Sequence, residues 1–147
     1  MRVFFGGIIQ GSNLGRDIHA QDYRQEIKEL LRRQYDGVSI FDPYEGHENS
    51  VHYDDQTARA TFFKHLGIVR TSDLLIAYLP QASLGTAIEM WEAYIAGIPI
   101  ISISPMVTNW IIRFIPHRNF ETVESFEKFI IENDLVELFG RKIREEI

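Results

Sequence analysis

The chain has 147 residues, 45% apolar and 24% charged, a balance expected of one globular domain (1–147) rather than a disordered segment. A net charge of −6 argues against a nucleic-acid partner, which needs clustered Lys and Arg, but leaves room for a small anionic ligand held by a few placed donors. Cysteine is absent, which excludes a disulfide framework, a thiolate nucleophile and a Cys-based metal site, and fits a cytoplasmic location.

Residues 3–5 read as a first strand entering a glycine-rich turn, Gly6-Gly7-Ile8-Ile9-Gln10-Gly11, that runs on to Gly15 and Arg16. The apolar stretch is too short and too broken by glycine for a secretion signal, and no run reaches the roughly 18–20 apolar residues of a membrane span. Asp22 is placed to N-cap a helix over 22–33, whose Ile27, Leu30 and Leu31 recur at helical spacing. A short strand over 38–41 stops at Asp42-Pro43, and 44–55 is a polar loop rich in His, Asp, Glu and Asn.

The spacing predicts a helix over 56–71 with Phe62, Phe63, Leu66 and Val69 on one side, then a strand over 74–78. A helix over 83–96 follows, with Gly97 as its stop, and then a strand over 98–102. Residues 105–115 read as a short helix or an interface segment, and 125–138 as a final helix with a fraying charged end at 141–146. Strands alternating with helices, and β-branched runs without polar alternation, predict a flavodoxin-like (Rossmann-like) doubly wound parallel sheet of four to five strands in three layers. Ligands in such folds sit beyond the carboxyl ends of the strands, so the glycine loop and the Ser83-Leu84-Gly85 turn share one rim.

The glycine loop is neither a dinucleotide fingerprint nor a P-loop, and reads equally well as a tight turn or as backbone approaching a ligand. Arg16, at its far end, is placed to pair with a phosphate or stack on a base. Ser83 reads as an N-cap, which is compatible with anion binding at the helix start. Glu89 follows six residues later, about 9 Å along the helix. Glu89 reads either as an ordinary solvated helix residue or as a catalytic carboxylate: the spacing is enough to place a phosphate at Ser83 and a sugar ring beside Glu89, where a carboxylate can attack an anomeric carbon. Asp73 reads as a turn residue, and the pairs His47/His52 and Asp54/Asp55 form no defensible metal pattern. His65 reads either as a hydrogen-bonded structural residue or as an acid catalyst.

Three stretches resemble the nucleoside 2-deoxyribosyltransferase superfamily: Phe4 to Gly11, Ser72-Asp73-Leu74-Leu75-Ile76-Ala77 through Ser83-Leu84-Gly85-Thr86-Ala87-Ile88-Glu89, and Asn109-Trp110-Ile111-Ile112-Arg113. The resemblance is strongest to the branch of nucleoside 5′-monophosphate N-glycosidases. It implies that Glu89 is the nucleophile, that Ser83 and Gly85 hold phosphate, and that Gly7, Ile9 and Gly11 lie near base and sugar. It also implies no cofactor and no metal, and a homodimer in which Asn109 reaches the neighbouring subunit's site. Three positions depart from the family pattern. His65 stands where an aspartate is usual, 24 positions before the nucleophile; Gln10 replaces a basic residue; and Phe4 replaces an aromatic hydroxyl near the sugar. The resemblance therefore implies hydrolysis of a nucleoside 5′-monophosphate, with His65 or a loop carboxylate such as Asp55 assisting the departing base. Deoxyribose transfer and nucleotide sensing without catalysis are the alternatives.

Overall fold

A computed structural model describes residues 1–140. Strands and helices alternate as β1 (Arg2–Gly7), α1 (Asp22–Gln34), β2 (Ser39–Phe41), α2 (Asp55–Val69), β3 (Leu74–Tyr78), α3 (Leu84–Ile95), β4 (Ile100–Ile103), α4 (Trp110–Phe114), β5 (Arg118–Phe120), α5 (Val123–Glu132) and α6 (Leu135–Gly140). All four strand pairings are parallel, in the order β2-β1-β3-β4-β5. This is the flavodoxin-like order, and its chain reverses direction across the sheet between β1 and β3.

The unalternating apolar runs are explained by burial on both faces. Phe5, Ile76, Ile101 and Ile103 pack with Ile27 and Leu31 of α1 and Phe126 of α5. On the opposite face, Phe4, Leu75, Ala77 and Ile100 pack with Val69 of α2 and Met90 and Ala93 of α3. Neighbouring Phe4 and Phe5 are both fully buried because successive side chains of a strand point to opposite faces. Burying each contributes about 2–3 kcal/mol of transfer free energy. No described helix is long and apolar enough to cross a membrane.

Several element readings change. β1 runs on through both glycines to Gly7, so the turn begins two residues later than the composition suggests. The cap of α1 is Gln21, with no side-chain cap bond, and Asp22 lies in the first turn instead. Asp54 caps α2 by accepting from the Thr57 N–H. Leu66 and Val69 are buried as expected, whereas Phe62 and Phe63 lie on the exposed side of α2. The edge strand β5 is absent from the sequence reading; three residues beginning with an exposed arginine carry little strand signal. The expected final helix is two helices, α5 and α6, broken at Asn133, which is extended. Asp134 then accepts from the Val136 N–H to open the second helix. The segment 141–146 lies outside the described residues.

Candidate functional site

The cleft lies where topology predicts it, between the segments leaving β1 and β3. The glycine loop approaches from one side. Gly7 ends β1, and Gly11 adopts φ +58, a conformation that favours glycine. Its backbone is pinned from behind by three consecutive carbonyls. The Gly7 carbonyl accepts from Arg24 Nη2 at 3.0 Å, and the Ile8 carbonyl from the Tyr23 hydroxyl at 2.9 Å and Gln21 Nε2 at 3.1 Å. The Ile9 carbonyl accepts from the His19 N–H at 2.7 Å. The start of α1 thus fixes the shape of the loop. The Tyr23 ring stacks on Tyr78 at the end of β3, at 4.1 Å between centroids, joining the two strands that flank the cleft.

Helix α3 forms the other side. Ser83 is its N-cap, and its hydroxyl oxygen accepts from the Thr86 N–H at 3.4 Å and the Thr86 hydroxyl at 3.1 Å. A helix start leaves its first N–H groups without intrahelical partners, so those of Leu84 and Gly85 are offered to a ligand. A side chain at Gly85 would meet nothing within 4 Å. Packing therefore does not demand glycine there, whereas close approach of a ligand would.

One turn further on stands Glu89, half-buried and lining the cleft. Its carboxylate lies against β1, so that a Cβ added to Gly6 would fall 2.6 Å from Oε2. Glycine at position 6 makes room for this carboxylate. Burial pushes the Glu89 carboxyl up to about 8; the Arg24 guanidinium opposes this and the Asp42 carboxylate adds to it. A cleft of about 310 Å³ separates Glu89 and the α3 start from the glycine loop, with Ser50 and Val51 of the polar 44–54 loop as a third wall. That volume is at the lower bound of small-molecule sites. Among the described residues that line it, Glu89 alone is ionisable.

Of the residues singled out in the sequence, the fold brings Gly7, Ile9, Gly11, Ser83, Gly85 and Glu89 together around this cleft, along with Gln10. Five others, Phe4, Arg16, Asn109, His65 and Asp55, lie elsewhere. Phe4 is fully buried in the core, its ring 5.4 Å from that of Phe41, because its strand position faces α2 and α3 rather than the rim. Arg16 is exposed and does not line the cleft; the Gln10 side chain donates to the Gly15 carbonyl at 2.8 Å, closing the loop before Arg16. Asn109 caps α4 by accepting from the Ile111 N–H, and lines an adjoining apolar hollow of about 180 Å³ that shares Ser83 and Leu84 with the cleft.

His65 is also set back from the cleft. It is 8% exposed, with its ring edge-on to Phe41 at 5.3 Å and to His47 at 5.2 Å. Its Nε2 is buried with no hydrogen-bond partner among the described residues. Burial, then the His47 and Lys64 charges, lower its pKa to about 4, so the ring is neutral at neutral pH. His47 is held in turn by Tyr53, whose hydroxyl lies 2.8 Å from Nδ1. Asp55, the other candidate acid, is exposed at the start of α2. Among the described residues, no group of three or more His, Cys, Asp or Glu is arranged to hold a metal ion.

Sequence reasoning missed Ser50, Val51, Tyr23 and Arg24. A polar loop gives no hint that it folds over a rim. A tyrosine and an arginine in the first turn of an amphipathic helix look solvated until the loop they hold is seen.

Compared by sequence, the chain matches no family model and no curated protein. Compared by structure, it is similar to the 2-deoxyribosyltransferase of the psychrotolerant bacterium Bacillus psychrosaccharolyticus, with a TM-score of 0.71 at 19% identity over 94% of this chain and 96% of that one. It is similar to a conserved protein of Enterococcus faecalis V583, with a TM-score of 0.60 at 19% identity, covering 89% of this chain and 97% of that one. The Clostridium botulinum CMP N-glycosidase BcmB matches with a TM-score of 0.51 at 18% identity, over 90% of this chain and 98% of that one. Fold and cleft together define a flavodoxin-like α/β protein with a carboxylate-bearing pocket at the β1/β3 switch point. Two of these three similar structures are named for chemistry at a nucleoside or nucleotide.

Proposed function

We propose that the chain hydrolyses the N-glycosidic bond of a nucleoside 5′-monophosphate. The observation that carries this reading is a carboxylate facing a ligand-sized cleft, six residues beyond the N-cap of its own helix. The phosphate sits at the start of α3, on the Leu84 and Gly85 N–H groups and the Ser83 and Thr86 hydroxyls. The sugar lies beside Glu89, and the base between the glycine loop and Ser50–Val51.

Ionised Glu89 attacks C1′; the C1′–N bond breaks and its electron pair leaves with the base, which takes a proton from water. Water then attacks C1′, releasing the sugar 5-phosphate and restoring the carboxylate. His65, neutral against Phe41 and outside the cleft lining, is not given the acid role. With a pKa of about 8, roughly a tenth of the molecules hold Glu89 ionised at pH 7, so kcat/KM rises with pH toward a plateau above 8.

The reading includes a homodimer. Leu84, Ile88, Trp91 and Ile95 on α3 and Trp110, Ile111 and Phe114 on α4 are all exposed, an apolar surface suited to burial against a second copy. Asn109 adjoins this surface, as a residue reaching a neighbour's site would.

A second reading, deoxyribosyl transfer between bases of an unphosphorylated nucleoside, is favoured by one observation: no cationic side chain lines the cleft among the described residues. One experiment separates them. The protein is incubated with ribo- and deoxyribonucleoside 5′-monophosphates, and with free nucleosides plus a second base, and products are read by chromatography. Free base from a monophosphate supports hydrolysis, and base exchange on a free nucleoside supports transfer. Binding by calorimetry with neither product shows a nucleotide-binding protein.

A further inference from the structure

The buried ion pair behind the cleft is used by no step above. Arg24 is 3% exposed, and every edge of its guanidinium is engaged: Nη1 donates to Asp42 Oδ1 at 2.6 Å, Nε to Gln21 Oε1 at 2.6 Å, and Nη2 to the Gly7 carbonyl at 3.0 Å. Its Cζ lies over two aromatic rings, 5.1 Å from the centroid of Tyr23 and 5.3 Å from that of Tyr44. Asp42 is as deeply buried, with Lys28 Nζ at 3.0 Å from its second oxygen and the Tyr44 N–H donating to its first. Desolvating two opposite charges gains little stability over an apolar pair, so so complete an arrangement behind a cleft calls for another reason.

That reason lies in what Arg24 touches. Gly7 ends β1 and lines the cleft, and Gly6, one residue earlier, is the backbone on which the Glu89 carboxylate rests. We infer that Arg24 is a positioning residue for Glu89: clamped by Asp42, its guanidinium fixes the end of β1 against which that carboxylate lies and sets a positive charge behind it. The inference rests on the glycosidase reading for its importance, but not for its measurement. Arg24 and Asp42 act on Glu89 in opposite senses, and Tyr23 of the same helix as Arg24 also interacts with it. The two halves of one ion pair therefore have opposite consequences for the nucleophile.

The test is a carbon-13 NMR titration of the Glu89 carboxyl in protein labelled at glutamate, assigned with Glu89→Gln and needing no substrate. Arg24→Gln is expected to raise the Glu89 midpoint by about one unit or more, and Asp42→Asn to lower it. Arg24→Lys is expected to leave it within about half a unit while losing the planar fork that reaches Asp42, Gln21 and the Gly7 carbonyl together. A purely structural pair would weaken folding in both variants and move the midpoint in the same sense or not at all, and that result overturns the inference. If Arg24→Gln does not fold, the downward shift in Asp42→Asn and the retained midpoint in Arg24→Lys decide the matter. The wild-type assay on nucleoside monophosphates, run alongside, reports separately on the glycosidase reading. Failure there with the opposite shifts intact leaves Arg24 positioning a carboxylate of another chemistry.

Discussion

Two ionisable groups lie on the same face of the sheet, half-buried Glu89 on α3 and buried His65 on α2, and loss of water neutralises both at neutral pH from opposite directions. Glu89 is raised to about 8 and His65 lowered to about 4. By perturbation alone they rank as equal candidates for catalysis. What separates them is what lies in front of them. Glu89 opens onto a cleft of about 310 Å³, framed by a helix start and a pinned glycine loop, with a glycine beneath it to make room. His65 faces Phe41 and His47, with an orphaned Nε2 and no share of the cleft lining. A shifted pKa marks a costly burial, and only the surrounding space shows whether a reaction uses it.

The comparison breaks most sharply under substitution. Glu89→Ala is expected to lower base release by about a thousandfold or more while nucleotide affinity stays within about tenfold, because the phosphate contacts proposed above lie at the start of α3. His65→Gln is expected to leave turnover at pH 7.5 within about twofold. Steady-state kinetics on both variants, with calorimetry on the first, would check this. Equal losses would put the two groups in one mechanism.

Gly6→Ala sharpens the same contrast on the backbone side. The added methyl would meet the free end of the Glu89 side chain at 2.6 Å, a contact that Glu89 relieves by swinging away. Turnover is expected to fall about tenfold to a hundredfold, with a stability loss under about 1.5 kcal/mol in chemical denaturation. A large stability loss would mean that the strand, not the carboxylate, fills that space.

The pH dependence of stability should run in opposite senses at the two sites. Glu89 has a folded pKa above its unfolded one, so the folded state binds the extra proton between about 4.5 and 8, and the stability it contributes is lost as pH rises through that window. Glu89→Gln is expected to raise the melting temperature at pH 9 and to change it little at pH 4. His65 has a folded pKa below its unfolded one, so its contribution is lost as pH falls from about 6.5 to 4. His65→Gln is expected to remove that acid loss, so that its melting temperature falls less than the wild type's between pH 6.5 and 4. Thermal scans across pH 4–9 would show whether the two slopes have opposite signs.

Much of this was legible in the chain. The parallel sheet followed from apolar runs without alternation, and the rim from the two turns that follow strands. Ser83 to Glu89 could be placed because a helix has a fixed rise, so a motif within one element carries its own geometry. What the sequence hid depends on which face an element turns. Phe4 and Phe5 look alike in a strand, and only packing shows that both are core. Phe62 and Phe63 fit an apolar stripe that α2 leaves exposed. Arg24 is a helix-surface residue in pattern and a buried clamp in fact, because its partners Gly7 and Asp42 come from two different strand ends. β5 is three residues long and is recognisable only beside β4.

The measurement that bears most directly on Glu89 is a trapping experiment. A nucleoside 5′-monophosphate bearing fluorine at the 2′ position slows breakdown of a glycosyl–enzyme ester by destabilising the oxocarbenium-like transition state. After acid quench and proteolysis, mass spectrometry is expected to find the sugar phosphate on the peptide containing Glu89. Base release with the label on another residue, or undiminished base release by Glu89→Gln, would contradict the account.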